Sequence, residues 1–292
     1  MSLSSNTSLP PDGGYGWICV AACFSINCFT WGAVSSYGVY LAHYLSNNMF
    51  PEATPMDFAL IGGLNFSMAM LVAPAVTVIA RKYGTKLPMF LGLGLLASGY
   101  VSASFSQRIW QLYLSQGVLI GFGVGCIYIP SIPVLSQWFD KKRSLANGIS
   151  AAGSGIGTAI GRPLIGVASD RFGRIEVAGL LTCFCGVTCF VIWLPSTSYG
   201  VLVLFAFISG AILGVFWVTV GPLCVEVAGL EQLQSLLSLS WSFIVLPTTF
   251  SEVIALKLRR LGSYQPYRNA QVFCGVSYIC ASVALLFLFM IK

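Results

Sequence analysis

The sequence predicts an all-α polytopic membrane protein, a bundle of about nine transmembrane helices. Two observations carry the prediction. Of 292 residues, 57% are hydrophobic and only 8% charged, against roughly 25% charged in a soluble domain. So few charges cannot cover so much apolar surface in water. The apolar residues also fall in runs of about 20, the length that crosses a hydrocarbon core. Lys and Arg cluster between the runs, as the positive-inside rule expects of cytoplasmic loops. The net charge of +6 is thereby explained without a nucleic-acid partner.

The first expected span runs from Trp17 to about Leu45, after Pro10-Pro11-Asp12-Gly13-Gly14. The second, Phe58 to Ala80, ends at the basic turn Arg81-Lys82-Tyr83-Gly84-Thr85-Lys86. Leu87 to Ser106 is the third and Trp110 to Trp138 the fourth, with Pro130 and Pro133 in its later half. Such prolines survive in membrane helices because neighbouring helices re-satisfy the freed backbone groups. Four more spans follow: Val177 to Leu194, Tyr199 to about Val225, Ser235 to about Leu256, and Val272 to Ile291. Trp17, Trp110, Trp138 and Trp193 lie near span ends, as interfacial aromatics do.

Between the fourth span and the next lies an ambiguous stretch, Phe139 to Arg174. Lys141, Lys142 and Arg143 open it; Asp170, Arg171 and Arg174 close it. Ser144 to Gly161 carries no charge, which is about 27 Å of helix, enough for one crossing and too little for two. With a cytoplasmic N-terminus, a crossing divides the loop cations 10 inside to 4 outside, and no crossing divides them 9 to 5. The positive-inside rule does not choose between the two. Gly153, Gly157 and Gly161 recur every four residues, a spacing that lets membrane helices approach closely. No nucleotide loop is present, because no third glycine stands at the required place and no strand precedes.

Residues 78–86 and 167–174 form a faint internal repeat: a helix end, charged residues, an aromatic, a glycine and a basic residue. Repeats of this kind are typical of secondary transporters. Pro11-Asp12-Gly13-Gly14-Tyr15-Gly16-Trp17, the run from Trp138 to Gly153, Gly229-Leu230-Glu231 and Gly262-Ser263-Tyr264 complete a pattern. It resembles the monocarboxylate-transporter-like, fungal branch of the major facilitator superfamily. The resemblance implies a bundle of two six-helix halves working by alternating access, with this chain lacking an internal segment between the fifth helix and the end of the eighth. The implied division is a cytoplasmic tail over 1–16, an N-terminal half bundle over 17–152 and a C-terminal half bundle over 153–292.

The function implied is secondary-active transport of a small organic anion or a fungal metabolite, with a co-transported proton as possible second solute, in the plasma membrane rather than an organelle. The alternative is a truncated, non-transporting remnant or a membrane interaction protein. Arg162 resembles the family arginine that precedes a proline and meets the substrate carboxylate; a guanidinium suits that role by its two-donor fork. Its other reading is a side chain that snorkels to the interface. Tyr37 and Tyr40 are further candidates for substrate binding. Asp12, Gly13, Gly14, Lys141, Lys142, Arg143, Asp170, Arg171, Gly173 and Arg174 are the loop-motif residues. His43, the one histidine of the chain, and Glu252, the acid well inside the late apolar region, are candidates for proton coupling. The ten Cys read as small hydrophobes within apolar runs. No metal spacing, nucleophile or carboxylate pair is visible, so neither a cofactor nor an enzyme is expected.

Overall fold

A computed structural model describes residues 12–212, 214–260 and 265–291. Side chains at 156–160, 288, 289 and 291, with the landmark Gly262-Ser263-Tyr264, Pro11 and most of the 1–16 tail, lie outside the described residues. The described chain forms α1 (Gly16–Ser46), α2 (Pro55–Tyr83), α3 (Lys86–Ser104) and α4 (Ile109–Trp138). Then come α5 (Arg143–Ala151), α6 (Ile156–Phe172) and α7 (Arg174–Trp193). The chain closes with α8 (Tyr199–Ile212), α9 (Val215–Lys257) and α10 (Arg268–Ile291).

Seven stretches are long and apolar enough to cross a membrane, the longest being Tyr199–Lys257 with 59 residues. That length holds two passes. Gly229 breaks it with φ 71° and ψ 175°, a conformation that glycine adopts without a Cβ penalty. Among the described residues the bundle therefore makes eight passes, which are the eight expected spans.

The ninth stretch is not a span. Helix α5 ends in a 3₁₀ turn at Ala152–Ser154, Gly155 is extended, and α6 returns antiparallel to α5. At about 1.5 Å per residue α5 is roughly 14 Å long and α6 roughly 26 Å, both short of the ~30 Å hydrocarbon core. The contacts confirm the hairpin. A Cβ on Gly148 would meet the Arg162 carbonyl, and one on Gly166 the backbone of Ser144 and Leu145. Asp170 at the end of α6 accepts hydrogen bonds from the Ser144 and Leu145 N–H groups, 3.0 and 2.9 Å away, at the start of α5. Both basic clusters thus lie at one face, so of the two readings left open for 144–161 the structure takes the one without a crossing. The glycines do admit close approach, on two different partners: Gly153 rests on the backbone of Phe24 and Cys28 in α1, whereas Gly161 rests on Ala211 in α8.

Helices α2 and α4 run parallel, Gly121 lying over Asn65 and Gly125 over Ala69. Their C-terminal ends bring Arg81, Lys82, Lys86, Lys141, Lys142, Arg143, Arg171 and Arg174 to the hairpin's face. The opposite face holds Arg108, Lys257, Arg259, Arg260 and Arg268. Eight described loop cations against five make the hairpin's face cytoplasmic. The sequence repeat reappears as geometry: Gly84 (φ 84°) and Gly173 (φ 103°) each terminate a cytoplasmic helix end with positive φ.

The two parts of the chain meet along α2 and the second pass of α9. Ala69, Met70, Ala73 and Val76 pack on Leu233, Leu237 and Trp241 in one buried cluster. Trp217 stacks on Trp241 at 5.1 Å, Thr77 hydrogen-bonds Ser238, and Gly63 admits the Thr248 and Thr249 backbone.

Candidate functional site

Two sites deserve separate description, a cavity in the outer half and a lock on the cytoplasmic face. The cavity has a volume of about 730 Å³. It lies between α1, α2 and the end of α9, with Tyr100 of α3 and Gln116 of α4 at its wall. Tyr37, Tyr40 and Glu252, all singled out from the sequence, line it. The Tyr37 hydroxyl donates to the Phe58 carbonyl at 3.0 Å, which holds the ring against α2. Glu252 faces Gly62, where a Cβ would come within 3.1 Å of its carboxylate.

Asn65 and Gln116 also line the cavity and were not picked out from the sequence. Their signal was available, since amides inside apolar spans are costly and rarely idle. The Asn65 Nδ2 donates to the Gln116 carbonyl at 2.6 Å, and the Gln116 Nε2 donates to the Tyr44 hydroxyl at 2.8 Å. Asn65 Oδ1 and Gln116 Oε1 accept no hydrogen bond from the described residues.

Arg162 does not reach the cavity. Its Nη1 donates to the Ala151 carbonyl at 2.5 Å and to Ser154 Oγ at 2.8 Å. The guanidinium therefore ties α6 to the end of α5, joining Ser154 Oγ, 3.0 Å away, as a second donor to the Ala151 carbonyl at the helix C-terminus. Its stem lies over Gly214, whose missing side chain makes the room. The snorkelling expectation is not met either, because the group is held at the hairpin tip, away from the cytoplasmic end. His43 is exposed at the outer end of α1, with Asn47 Nδ2 2.9 Å from its Nδ1. It does not line the cavity.

The cytoplasmic lock gathers the loop-motif residues. Asp12 accepts from the N–H groups of Asp140, Lys141 and Lys142 at 2.8 to 3.3 Å. Its own N–H donates to the Trp138 carbonyl at 3.1 Å, joining the chain before α1 to the α4–α5 turn. Gly14 takes φ 60° in the same turn. Burial raises the Asp12 carboxyl, but the three N–H donors and the Lys141 charge outweigh it and hold it below its ordinary value. Arg143, 4% exposed, donates to the Phe139 carbonyl at 2.9 Å and pairs with Asp140 at 3.3 Å. Arg174 pairs with Asp170 at 3.6 Å and with Glu226 of α9 at 2.5 Å, and reaches Ser144 Oγ at 3.2 Å. Lys141, Lys142 and Arg171 are exposed, with Arg171 over the Phe172 ring. One network thus closes the cytoplasmic end across α1, α4, α5, α6 and α9, while the cavity lies in the outer half.

Membrane passes around a solute-sized cavity, held together at the cytoplasmic end by the hydrogen bonds of Asp170 and Arg174 with Ser144 and Leu145 across the two parts of the chain, define a carrier-type membrane protein. The family model for the Major Facilitator Superfamily matches residues 20–167, half of the chain, and the chain belongs to that superfamily. Its relatives are transporters and not enzymes. The probable transporter MCH2 of Saccharomyces cerevisiae is 26% identical over 400 aligned positions, which take in 96% of this chain and 84% of that protein. The uncharacterized transporter ESBP6 of the same yeast is 26% identical over 400 positions, with 94% of this chain and 59% of that protein covered. Monocarboxylate transporter 3 of Gallus gallus is 34% identical over 183 residues, covering 61% of this chain and 33% of that protein. In the MCH2 alignment about 280 residues of this chain are spread over 400 positions, so roughly 120 positions have no residue of this chain opposite them. The chain is a monocarboxylate-transporter-like member that lacks an internal segment.

Proposed function

We propose that the outer cavity is the solute site of a secondary-active carrier, and that the chain moves small organic molecules by alternating access. The observation that supports it best is the cavity itself, about 730 Å³ between α1 and α2 of one part of the chain and the end of α9 of the other. Small-molecule sites fall in that size range. Opening the cytoplasmic end requires the hydrogen bonds of Asp170 and Arg174 with Ser144 and Leu145 and the Thr77–Ser238 bond to break, while α2 and α9 close over the cavity. Tyr37 and Tyr40 would contact the solute. Glu252, the carboxylate at the cavity wall, is the better candidate for a coupled proton, and His43 the weaker, being outside it.

The relatives named as monocarboxylate transporters favour an organic anion, and the proton-coupled symport expected from the resemblance belongs to the same reading. The two long matches are yeast proteins, which supports the fungal branch; the plasma membrane is proposed as part of the same reading. An anion would call on Arg162, and Arg162 would first have to leave Ala151 and Ser154. The division at 152/153 into two half bundles is part of the proposal: the hairpin turn lies at that boundary.

Proteoliposomes holding the purified chain test the reading with a panel of labelled organic acids, alcohols and amines. Uptake above empty vesicles for any of them supports a carrier. A second reading, a non-transporting remnant, is favoured by one observation, the roughly 120 aligned positions without a residue of this chain. Saturable solute binding without any flux across the panel would establish that second reading.

A further inference from the structure

We propose that a small chamber beside α5 binds one water molecule, and that this water is a hydrogen-bonded joint between the two parts of the chain. The chamber has a volume of about 20 Å³ and is separate from the outer cavity. Asn27 of α1, Tyr128 of α4, and Asn147 and Ser150 of α5 line it from one part of the chain. Trp217 and Trp241, on the two passes of α9, line it from the other. Because α5 starts at the cytoplasmic face and is short, the chamber lies in the inner half of the bundle. Rings divide it from the outer cavity: Phe66, at the wall of that cavity, lies 5.1 Å from Trp31 and 5.7 Å from Trp217.

The hydrogen-bond inventory carries the proposal. The Asn27 Nδ2 donates to the Cys23 carbonyl at 3.0 Å and to Ser150 Oγ at 3.2 Å. The Asn147 Nδ2 donates to the Arg143 carbonyl at 3.0 Å. A backbone carbonyl can only accept, so both amides are fixed in orientation, and Oδ1 is the atom that each has left over. On the donor side, Trp241 is 1% exposed and its indole N–H has no acceptor among the described residues. The buried Tyr128 hydroxyl makes no hydrogen bond to the described residues either, and Ser150, which accepts from Asn27, keeps its own O–H. Acceptors and donors thus face one small space from both parts of the chain, as the two to four hydrogen bonds of a buried water require.

Other occupants fit worse. About 10–15 Å³ suffices for a water, and the chamber is too small for a solute of several heavy atoms. No charged side chain among the described residues lines it, so an ion finds no countercharge at the wall. A dry void would leave the indole N–H and two amide oxygens unpaired, each at the cost of its lost hydration. A water pairs them, and each group can exchange it for another water when the seam parts.

Trp241 reports the occupant. Ultraviolet resonance Raman spectra of the purified full chain in micelles, less the spectrum of Trp241→Phe, show whether this indole N–H is hydrogen-bonded. The expected band is that of a bonded N–H. Gly221→Val then puts a side chain into the chamber without removing a partner. A Cβ at Gly221 has Asn147 Nδ2 at 3.8 Å and Ile132 Cγ2 at 3.9 Å as its nearest neighbours. In Gly221→Val the band should shift to that of a free N–H. A free N–H in the unmodified chain, or a bonded one that survives Gly221→Val, overturns the proposal. A density map of the unmodified chain, at a resolution that orders waters, decides the question even where a variant does not fold. A peak within about 3.2 Å of Trp241 Nε1 and of Asn27 Oδ1 or Asn147 Oδ1 is the expected result, and no peak there overturns the proposal. Neither measurement depends on what the outer cavity binds, so this proposal and the proposed function fail separately.

Discussion

Asp170 shows how much one side chain can hold. Its two oxygens cap the first N–H groups of α5, and the same carboxylate pairs with Arg174. Replacing an N-terminal cap by alanine costs about 1 kcal/mol, so Asp170→Ala should lose roughly 1–2 kcal/mol in denaturant unfolding in micelles. Asp170→Asn, which keeps one acceptor, should lose less. Asp12 gives a pH prediction. Its carboxyl is held below the ordinary 3.8 in the folded chain, so the unfolded chain binds the extra proton first. The stabilisation is then complete above 3.8 and is lost as pH falls through the lowered value. Asp12→Asn should remove this acid limb from the pH dependence of the unfolding midpoint and leave the rest of the profile in place. For Arg162, the contacts to Ala151 and Ser154 predict a structural cost. Arg162→Met should lower stability by roughly 1.5–3 kcal/mol, the worth of a hydrogen bond from a charged donor, with cavity affinity unchanged in equilibrium binding. The residue's chemistry was legible in the sequence; its partners were not, because Ala151 and Ser154 approach it only after the chain turns back.

The eight spans were legible as elements, because hydropathy over about 20 residues is a local property. The α5–α6 hairpin was not. Eighteen uncharged residues satisfy the length of one crossing, and the loop charges balanced too evenly to choose. What decides is long-range: Asp170 on the N–H groups of α5, with Gly148 against Arg162 and Gly166 against Ser144 and Leu145 on the opposite arms. Two small residues on either side of a glycine turn were the available signal. The hairpin predicts that Lys141 and Lys142 react with an impermeant acylating reagent from the opposite face of the membrane to Lys257. A crossing would put all three on the same face, so peptide mapping of sealed, oriented vesicles checks it. Gly148→Val should force the arms apart at the Arg162 carbonyl and cost about 1–3 kcal/mol, the usual penalty of overpacking, read as a lower melting temperature.

On the scale of the whole molecule, the cavity was partly visible in the sequence. Tyr37, Tyr40 and Glu252 were foreseeable from chemistry in apolar runs. That residues more than 200 positions apart would share one cavity required the α2–α9 seam, where Gly62 and Gly63 bring Glu252 and the Thr249 backbone close. A wider residue at Gly63 should therefore disturb both halves at once. Gly63→Leu is expected to lower the melting temperature and to weaken solute binding together, whereas Gly38→Ala, with open space at its Cβ, should change the melting temperature little.

The hairpin also sets an order of assembly. Neither arm is long enough to partition into lipid alone, and Arg162 at its tip opposes entry. The covering surfaces come from both sides of the sequence: α1 beneath Gly153, already synthesised, and α8 beneath Gly161, synthesised later. While the ribosome is still making α7, the hairpin has only one of its two walls. It must wait at the cytoplasmic surface of the bilayer and dock after α8 and α9 have entered. A nascent chain halted at Ser198 should accordingly leave residues 144–161 open to added protease, and a completed chain should protect them.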